Sequence, residues 1–539
     1  MRVAAVASAH PLATDAGHEI LAQGGNAFDA AVAVAAVLGV VEPHGSGLGG
    51  GGFWLLHRAR DGFQTVVDAR ERAPLAARAG FYLDKNGDVI PRASLDGASA
   101  AAIPGQPAAL AHIARQYGRL PLKQSLAPAI RHAADGFAVS ERYRRMVQLR
   151  LEALMKYDPL SVFLDEGFVP EAGYRVVQPD LARTLQNLAA RGHDGFYRGE
   201  LAQRLVDGVH AAGGVWTRND LAQYRVVERK PLRASYGRFK VTTVPPPGGG
   251  LVILETLNVL APYALDKLEG AERIHTLVEG MRLAYRDRAR VLGDPAYTRI
   301  DVANLLSERY AAQLRREVKK FRLPELPPAA PDTEPVPDAA GGTQTTHFSI
   351  LDADGNRVAV TLSINGPFGA AFVVPGTGVL LNNEMDDFVA KPGAPNLYGL
   401  VGGDANAIAP GKRPLSSMSP SFVEDDARVL MVGTPGGSRI ISMVLLATLD
   451  FMHGRGGLRD WLARPRFHHQ YLPDVIEHEA GAFDEITRAA LMAAGHRLKE
   501  TAAPYGDMQA VLWDRRSGRV EAASDPRGEG AARVVESKP

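Results

Sequence analysis

The chain has 539 residues, of which 46% are hydrophobic and 22% charged, and its formal net charge is +1. This composition fits a folded protein of several domains or one large two-part unit, and the near-neutral balance implies no nucleic-acid or anionic-membrane partner. The absence of cysteine excludes disulfides, thiolate nucleophiles and Cys-ligated metals, and leaves the compartment open.

The first ten residues, Met1 to His10, have the outline of a signal peptide. Their apolar core is at the short limit and runs straight into patterned sequence, so either the protein is not exported or the sequence begins after a leader. Pro11–Gln23 reads as a helix stopped by Gly24-Gly25, and Asn26 caps a second, Ala/Val-rich helix over Ala27–Val41. That run is the longest apolar stretch, and with Asp29 inside it and Glu42 at its end it is a buried helix, too short to span a membrane. The glycine run Gly45–Gly52 lacks the Gly-Lys-Ser/Thr ending of a phosphate loop and follows a helix, so that reading is rejected. Phe53–Leu56 and Phe63–Val67 read as strands, and helical patterns dominate from Ile103 to Asn258 and from Ile274 to Lys320.

Composition then changes. Residues 323–344 hold six prolines and end on Gly341-Gly342 before Thr343-Gln344, a linker signature that divides the chain into 1–344 and 345–539. Beyond it come strand-like runs at His347–Leu351, Val358–Ile364, Gly378–Leu381 and Val429–Gly433, and a helix over Ile440–Met452. There is no internal repeat. Strands and helices on both sides of the linker imply one layered body built from both segments.

Thr345 opens a strand directly after that linker. Cutting the Gln344–Thr345 bond would leave a residue carrying both a hydroxyl nucleophile and a free α-amine to serve as its base. Asp352-Ala353-Asp354-Gly355-Asn356 reads as a hairpin with a three-residue loop and Gly355 left-handed. That register sets Thr345 opposite Ser363, with Thr361 and Asn365 on the same face; a four-residue loop would flip it. The same Ser/Thr/Asn content also suits a solvent-facing strand.

Other polar clusters have two readings each. Asn382–Phe388 could bind an ammonium group, or be a solvated loop; its spacing does not suit a metal. Pro414–Pro420 offers hydroxyls and N–H groups to a carboxylate, or is an ordinary turn. Gly436-Gly437 in Thr434–Arg439 can present two N–H groups to an oxyanion, or make a tight turn. Arg70, at a strand end, can clamp a carboxylate or form an exposed salt bridge. His468-His469 reads as structural rather than metal-binding.

Taken together these motifs resemble the γ-glutamyltransferase (glutathione hydrolase) family, in the same order over nearly the whole chain. They are Gly24–Ala31, Gly49–Phe53, Arg70–Pro74, Thr345–Ser349, Leu381–Phe388, Gly399–Asn406, Pro414–Pro420 and Pro435–Arg439. The resemblance implies an α+β fold, the four-layer αββα sandwich of an N-terminal-nucleophile hydrolase. It implies a proenzyme that cleaves itself between Gln344 and Thr345, giving a heterodimer of large (1–344) and small (345–539) subunits. It further implies Thr345 as nucleophile with Ser363 beside it, where the family usually has Thr. Arg70, Ser416 and Ser417 would take the substrate α-carboxylate, and Asn365, Glu384 and Asp387 its α-ammonium. Gly436 and Gly437 would form the oxyanion hole, and Tyr398 the gate of a lid over Phe388–Leu400.

Glutathione and other γ-glutamyl amides are the implied substrates, with acyl transfer to water or to an amino acid or peptide, and no metal or organic cofactor. The family is typically periplasmic or extracellular; the weak leader leaves the cytoplasm open. The segment Gly366-Pro367-Phe368-Gly369 departs from the family pattern, so the donor or acceptor pocket is expected to differ. Competing readings are a cephalosporin or glutaryl acylase, a poly-γ-glutamate-processing relative, and an uncleaved binding protein. An acyl group without an α-ammonium would not need the acidic clamp.

Overall fold

The structure, a computed structural model, describes residues 3–158, 161–318 and 344–536. Most of the proposed linker, residues 323–343, lies outside the described residues.

Two sheets stack face to face. One has seven strands in the spatial order Ala531–Glu536, Val3–Ser8, Thr345–Leu351, Arg357–Ser363, Gly51–Arg58, Phe63–Asp68 and Val227–Arg229. The other has six, in the order Val520–Ser524, Gln509–Asp514, Arg428–Gly433, Ser421–Glu424, Phe239–Thr243 and Leu232–Tyr236. Alternate residues of the first sheet face two cores. Ala5, Ala7, Phe53, Leu55 and Leu351 meet the second sheet, while Val6, Trp54, Phe348 and Ile350 pack on outer helices. Those outer helices include Pro11–Ala22 and Ala27–Val41; Gly250–Leu260, Gly270–Val291 and Ile440–His453 cover the far face of the second sheet. The order is helix, sheet, sheet, helix: the expected αββα sandwich.

Local chemistry explains the helices near the site. Asn26 caps Ala27–Val41 through a capping box with Asp29. Fourteen of that helix's residues are buried, as its all-round apolar pattern requires. Among the described residues no helix is long and apolar enough to cross a membrane.

Two segments differ in structure from what their composition suggests. The stretch resembling a leader includes a strand, Val3–Ser8, held between the strands Ala531–Glu536 and Thr345–Leu351. Its run of alanines and valines is apolar because both of its faces are buried. The region assigned to helices also contains five strands: Phe137–Ala138, Arg175–Val176, Val227–Arg229, Leu232–Tyr236 and Phe239–Thr243. All are short, and in the last three Glu228, Arg229, Arg233 and Lys240 interrupt the sequence, so no apolar run marked them.

Candidate active site

The hairpin forms in the three-residue register. Gly355 has φ +89°, its N–H bonds the Asp352 carbonyl at 3.0 Å, and Thr345 pairs with Ser363. The Thr345 and Ser363 hydroxyl oxygens are 3.2 Å apart. This face is not solvated: Thr345 and Ser363 are 3% and 4% exposed, because it points into the gap between the sheets. His347, two residues along, fills that gap. Its ring contacts the Thr361 hydroxyl at 2.9 Å and the Ser349 hydroxyl at 3.1 Å, and burial pushes its pKa down to about 3, so it stays neutral. A side chain on Gly433 of the facing sheet would fall 2.3 Å from that ring.

Ser363 also accepts the Asn365 N–H at 2.8 Å. Asn365 has φ +70°, which turns the chain out of the strand, and its side-chain amide donates to the Asn383 carbonyl at 3.0 Å. Its own carbonyl accepts the Tyr398 hydroxyl at 3.0 Å. The Tyr398 ring lies over Gly437, where an added Cβ would sit 2.3 Å from it. One chain of contacts therefore links Thr345, Ser363, Asn365, Tyr398 and the Gly436-Gly437 turn. Gly436 and Gly437 have φ +144° and +56°, conformations that favour glycine, and the turn runs into the helix Ile440–His453.

The segment Phe388–Leu400, the expected lid, is tied down on the far side. Asn396 donates to an Asp387 carboxylate oxygen at 3.3 Å and accepts the Tyr398 and Leu400 N–H groups. Asp386 accepts the Leu397 N–H at 2.8 Å and the Ser94 hydroxyl at 2.7 Å.

Arg70 is the electrostatic centre. It lies just past the strand Phe63–Asp68, is wholly buried, and all five of its N–H donors are engaged. Nε donates to the Pro414 carbonyl at 3.1 Å, Nη1 to Glu71 at 3.3 Å and to Glu384, and Nη2 to Asp387 and to the Leu415 carbonyl at 3.3 Å. Residues expected to hold opposite ends of a substrate thus form one ion cluster. Burial pushes Glu384 and Asp387 up and Glu71 to about 7, opposed by the shared Arg70. The serine loop hangs from the same guanidinium. The Ser416 N–H is committed to the Pro247 carbonyl at 2.7 Å, and the Ser416 hydroxyl accepts the Met418 N–H at 3.1 Å. Ser417 accepts from Arg288 Nη2 at 3.2 Å.

The residues singled out as site candidates from the sequence are linked by these contacts. Gly45–Gly52, rejected as a phosphate loop, is a close-packed backbone crossing beside the hairpin: Gly51 pairs with Ser363, and a Cβ on Gly49 would lie 1.9 Å from the Leu380 carbonyl oxygen. His468 and His469 are buried, His468 bonded to Ser442 and Gln470, and His469 to Asp474. Sequence reasoning missed Glu71, Asn396 and Arg288. Glu71 was adjacent to a residue already chosen; Arg288 lies mid-helix, with no local signal.

The gamma-glutamyltranspeptidase profile matches residues 13–535. The chain belongs to the gamma-glutamyltranspeptidase family. It is 41% identical to a glutathione hydrolase proenzyme of Pseudomonas sp. (strain A14), over 97% of this chain and 92% of that one. With the corresponding proenzyme of Pseudomonas aeruginosa it shares 42% identity over 96% and 92%. Among solved structures it resembles a cephalosporin acylase from Bacillus halodurans, with a TM-score of 0.84 and 28% identity, covering 99% of this chain and 96% of that one. Family membership makes the protein an enzyme of the N-terminal-nucleophile hydrolase class and tells against a silent binding protein.

Proposed function

We propose that the protein is a self-processing γ-glutamyl hydrolase and transferase acting on glutathione and related γ-glutamyl amides. The observation that carries this is the ion cluster of Arg70 with Glu384 and Asp387, beside a strand that begins with Thr345. A γ-glutamyl head is a zwitterion. It can enter such a cluster by exchange, its ammonium taking over Glu384 and Asp387 with the Asn365 region, and its carboxylate taking the Arg70 donors so released together with Ser416 and Ser417.

Maturation comes from within. Gln344 and Thr345 are 5% and 3% exposed, so an external protease has poor access to their bond. The Thr345 hydroxyl attacks the Gln344 carbonyl, the acyl group moves from N to O, and water hydrolyses the ester. This leaves residues 1–344 and 345–539 as subunits of a heterodimer. The new α-amine, with an ordinary pKa of about 7.7–8.0, then serves as the base for the Thr345 hydroxyl.

In turnover Thr345 Oγ1 attacks the γ-carbonyl, Ser363 supports the hydroxyl, and charge develops toward the N–H groups of Gly436 and Gly437. The amine product leaves, and water or an amino acid or peptide amine takes the γ-glutamyl group from the Thr345 ester. Tyr398 and its lid exclude bulk water meanwhile. Export to the periplasm or beyond is the matching location.

A cephalosporin or glutaryl acylase is the second reading, favoured by the likeness to the Bacillus halodurans enzyme; buried Glu384 and Asp387 weigh against it, having no ammonium to serve there. The test is release of p-nitroaniline from γ-glutamyl-p-nitroanilide, with and without Gly-Gly, against glutaryl-p-nitroanilide. Preference for the glutaryl donor would overturn the γ-glutamyl reading. Thr345→Ala is expected to stay one full-length band on a denaturing gel and to be inactive. Cleavage before residue 345 at the wild-type rate in that variant would remove Thr345 as nucleophile.

A further inference from the structure

Arg288 has no part in the site as expected from the sequence, yet the fold brings it there. It lies on the helix Gly270–Val291, which points one face at the two loops that matter. Tyr285, nearly one turn earlier, donates from its hydroxyl to the Ser438 carbonyl beside the Gly436-Gly437 turn at 2.5 Å. Ala289, next along, accepts the N–H of Gly403 at 3.2 Å. Arg288 itself is 6% exposed, and among the described residues no carboxylate lies within ion-pair distance of it. Its Nη2 donates to Ser417, while its Nε has no hydrogen-bond partner. Burying a guanidinium is costly; burial pushes its pKa down, with Tyr285 and Asp387 opposing the fall and Arg70 adding to it. It borders a cavity of about 20 Å³ with Asp387, Asn396, Leu400 and Leu415. That is room for about one water.

We propose that Arg288 is a positioning and specificity residue for the substrate α-carboxylate, acting through Ser417 and supplying the site's second positive charge. The inference rests on the γ-glutamyl reading above. Two physical arguments support it. A hydroxyl that accepts from a guanidinium keeps its own proton for another acceptor, so Arg288 turns Ser417 into a donor toward the substrate carboxylate. Arg70 alone also faces three carboxylates, Glu71, Glu384 and Asp387. A substrate carboxylate entering that cluster would be a fourth negative group, and Arg288 is a second cation close enough to act on Asp387 yet in direct contact with the serine loop.

The test measures processed enzyme carrying Arg288→Met, Ser417→Ala and both. Arg288→Met is expected to raise KM for γ-glutamyl-p-nitroanilide ten- to hundredfold with kcat within threefold. Inhibition by L-glutamate and glutarate, which have the carboxylate, should weaken by the same factor; inhibition by 4-aminobutyrate, which lacks it, should not. The double variant should lose less than the product of the single losses. If Arg288→Met fails to process, Arg288→Gln and Arg288→Lys are read by the same inhibitor ratio. An unchanged ratio of L-glutamate to 4-aminobutyrate inhibition in every variant that folds, or strictly multiplicative losses with Ser417→Ala, would overturn the proposal. A wild-type enzyme inactive on γ-glutamyl-p-nitroanilide would instead signal failure of the underlying γ-glutamyl reading.

Discussion

Thr345 and Ser363 stand directly opposite each other at the open end of a buried hairpin, their hydroxyl oxygens 3.2 Å apart. The pair is built into the sheet ladder, so neither side chain can drift without breaking strand register. Ser363 has a second duty, accepting the Asn365 N–H that shapes the turn beneath Tyr398. Ser363→Ala should therefore lower kcat by roughly ten- to hundredfold, or ~1.4–2.8 kcal/mol. It should also destabilise the fold by about 1–3 kcal/mol through the orphaned N–H. Ser363→Thr, which keeps the hydroxyl, should restore most of both. Steady-state kinetics with thermal melts checks this, and an Ala variant with wild-type kcat would remove Ser363 from the mechanism.

Arg70 has a structural role beside its proposed one as substrate clamp. Read from the sequence, its loss would chiefly raise KM. In the structure Arg70→Ala leaves Glu71, Glu384 and Asp387 buried together and cuts the serine loop from its anchor. Breaking such a buried cluster costs about 3–5 kcal/mol. The expected outcome is lower Tm and impaired self-cleavage as well as weak binding, with partial recovery as pH falls, because burial pushes these carboxyls up and the opposing Arg70 is gone. A variant that is fully processed with unchanged Tm would contradict the cluster's structural role.

Glu42 gives a pH signature. It ends the helix Ala27–Val41, with Arg142 at 3.5 Å, and burial pushes its carboxyl up to about 7. The folded chain thus keeps a proton that the unfolded chain loses near the ordinary value of 4.5. Its stabilising share is complete below pH 4.5 and is lost as pH rises toward 7. Melting temperature between pH 4.5 and 7 should fall more steeply in wild type than in Glu42→Gln, by the slope of one proton. Identical slopes would show that Glu42 ionises normally.

Gly437 and Tyr398 can be tested as a pair. Gly437→Ala would place a methyl 2.3 Å from the ring, at a residue with φ +56°. The lid should be forced off the turn, with kcat/KM down at least tenfold. Adding Tyr398→Ala should relieve the clash but not the backbone strain of about 1–2 kcal/mol. A Gly437→Ala enzyme with full activity would mean that the ring does not rest there during turnover.

Much of the site was legible because each part carries a local signal. Asn26 and Asp29 announce a helix start, Asp354-Gly355 a hairpin, and the register then follows by counting residues to Thr345 and Ser363. Position in space was not legible. Glu384 and Asp387 read as a solvated loop, since nothing local distinguishes a buried carboxylate run from an exposed one. The strands Val227–Arg229 and Leu232–Tyr236 were hidden by their charge, because a sheet edge takes its pairing from neighbours rather than from its own apolar residues.

The sequence by itself determined the chemistry available here: a threonine hydroxyl after a Pro-rich stretch, no thiol, a glycine pair at a strand-to-helix turn, and the hairpin that sets Ser363 beside Thr345. These are properties of short segments, fixed by backbone preference and periodicity. Only the tertiary structure decided that Arg70, Glu384 and Asp387 form one ion cluster, that Tyr398 rests on Gly437, and that Arg288 reaches Ser417. Those contacts join residues more than thirty positions apart, and their strength comes from the burial that packing two sheets and their helices creates.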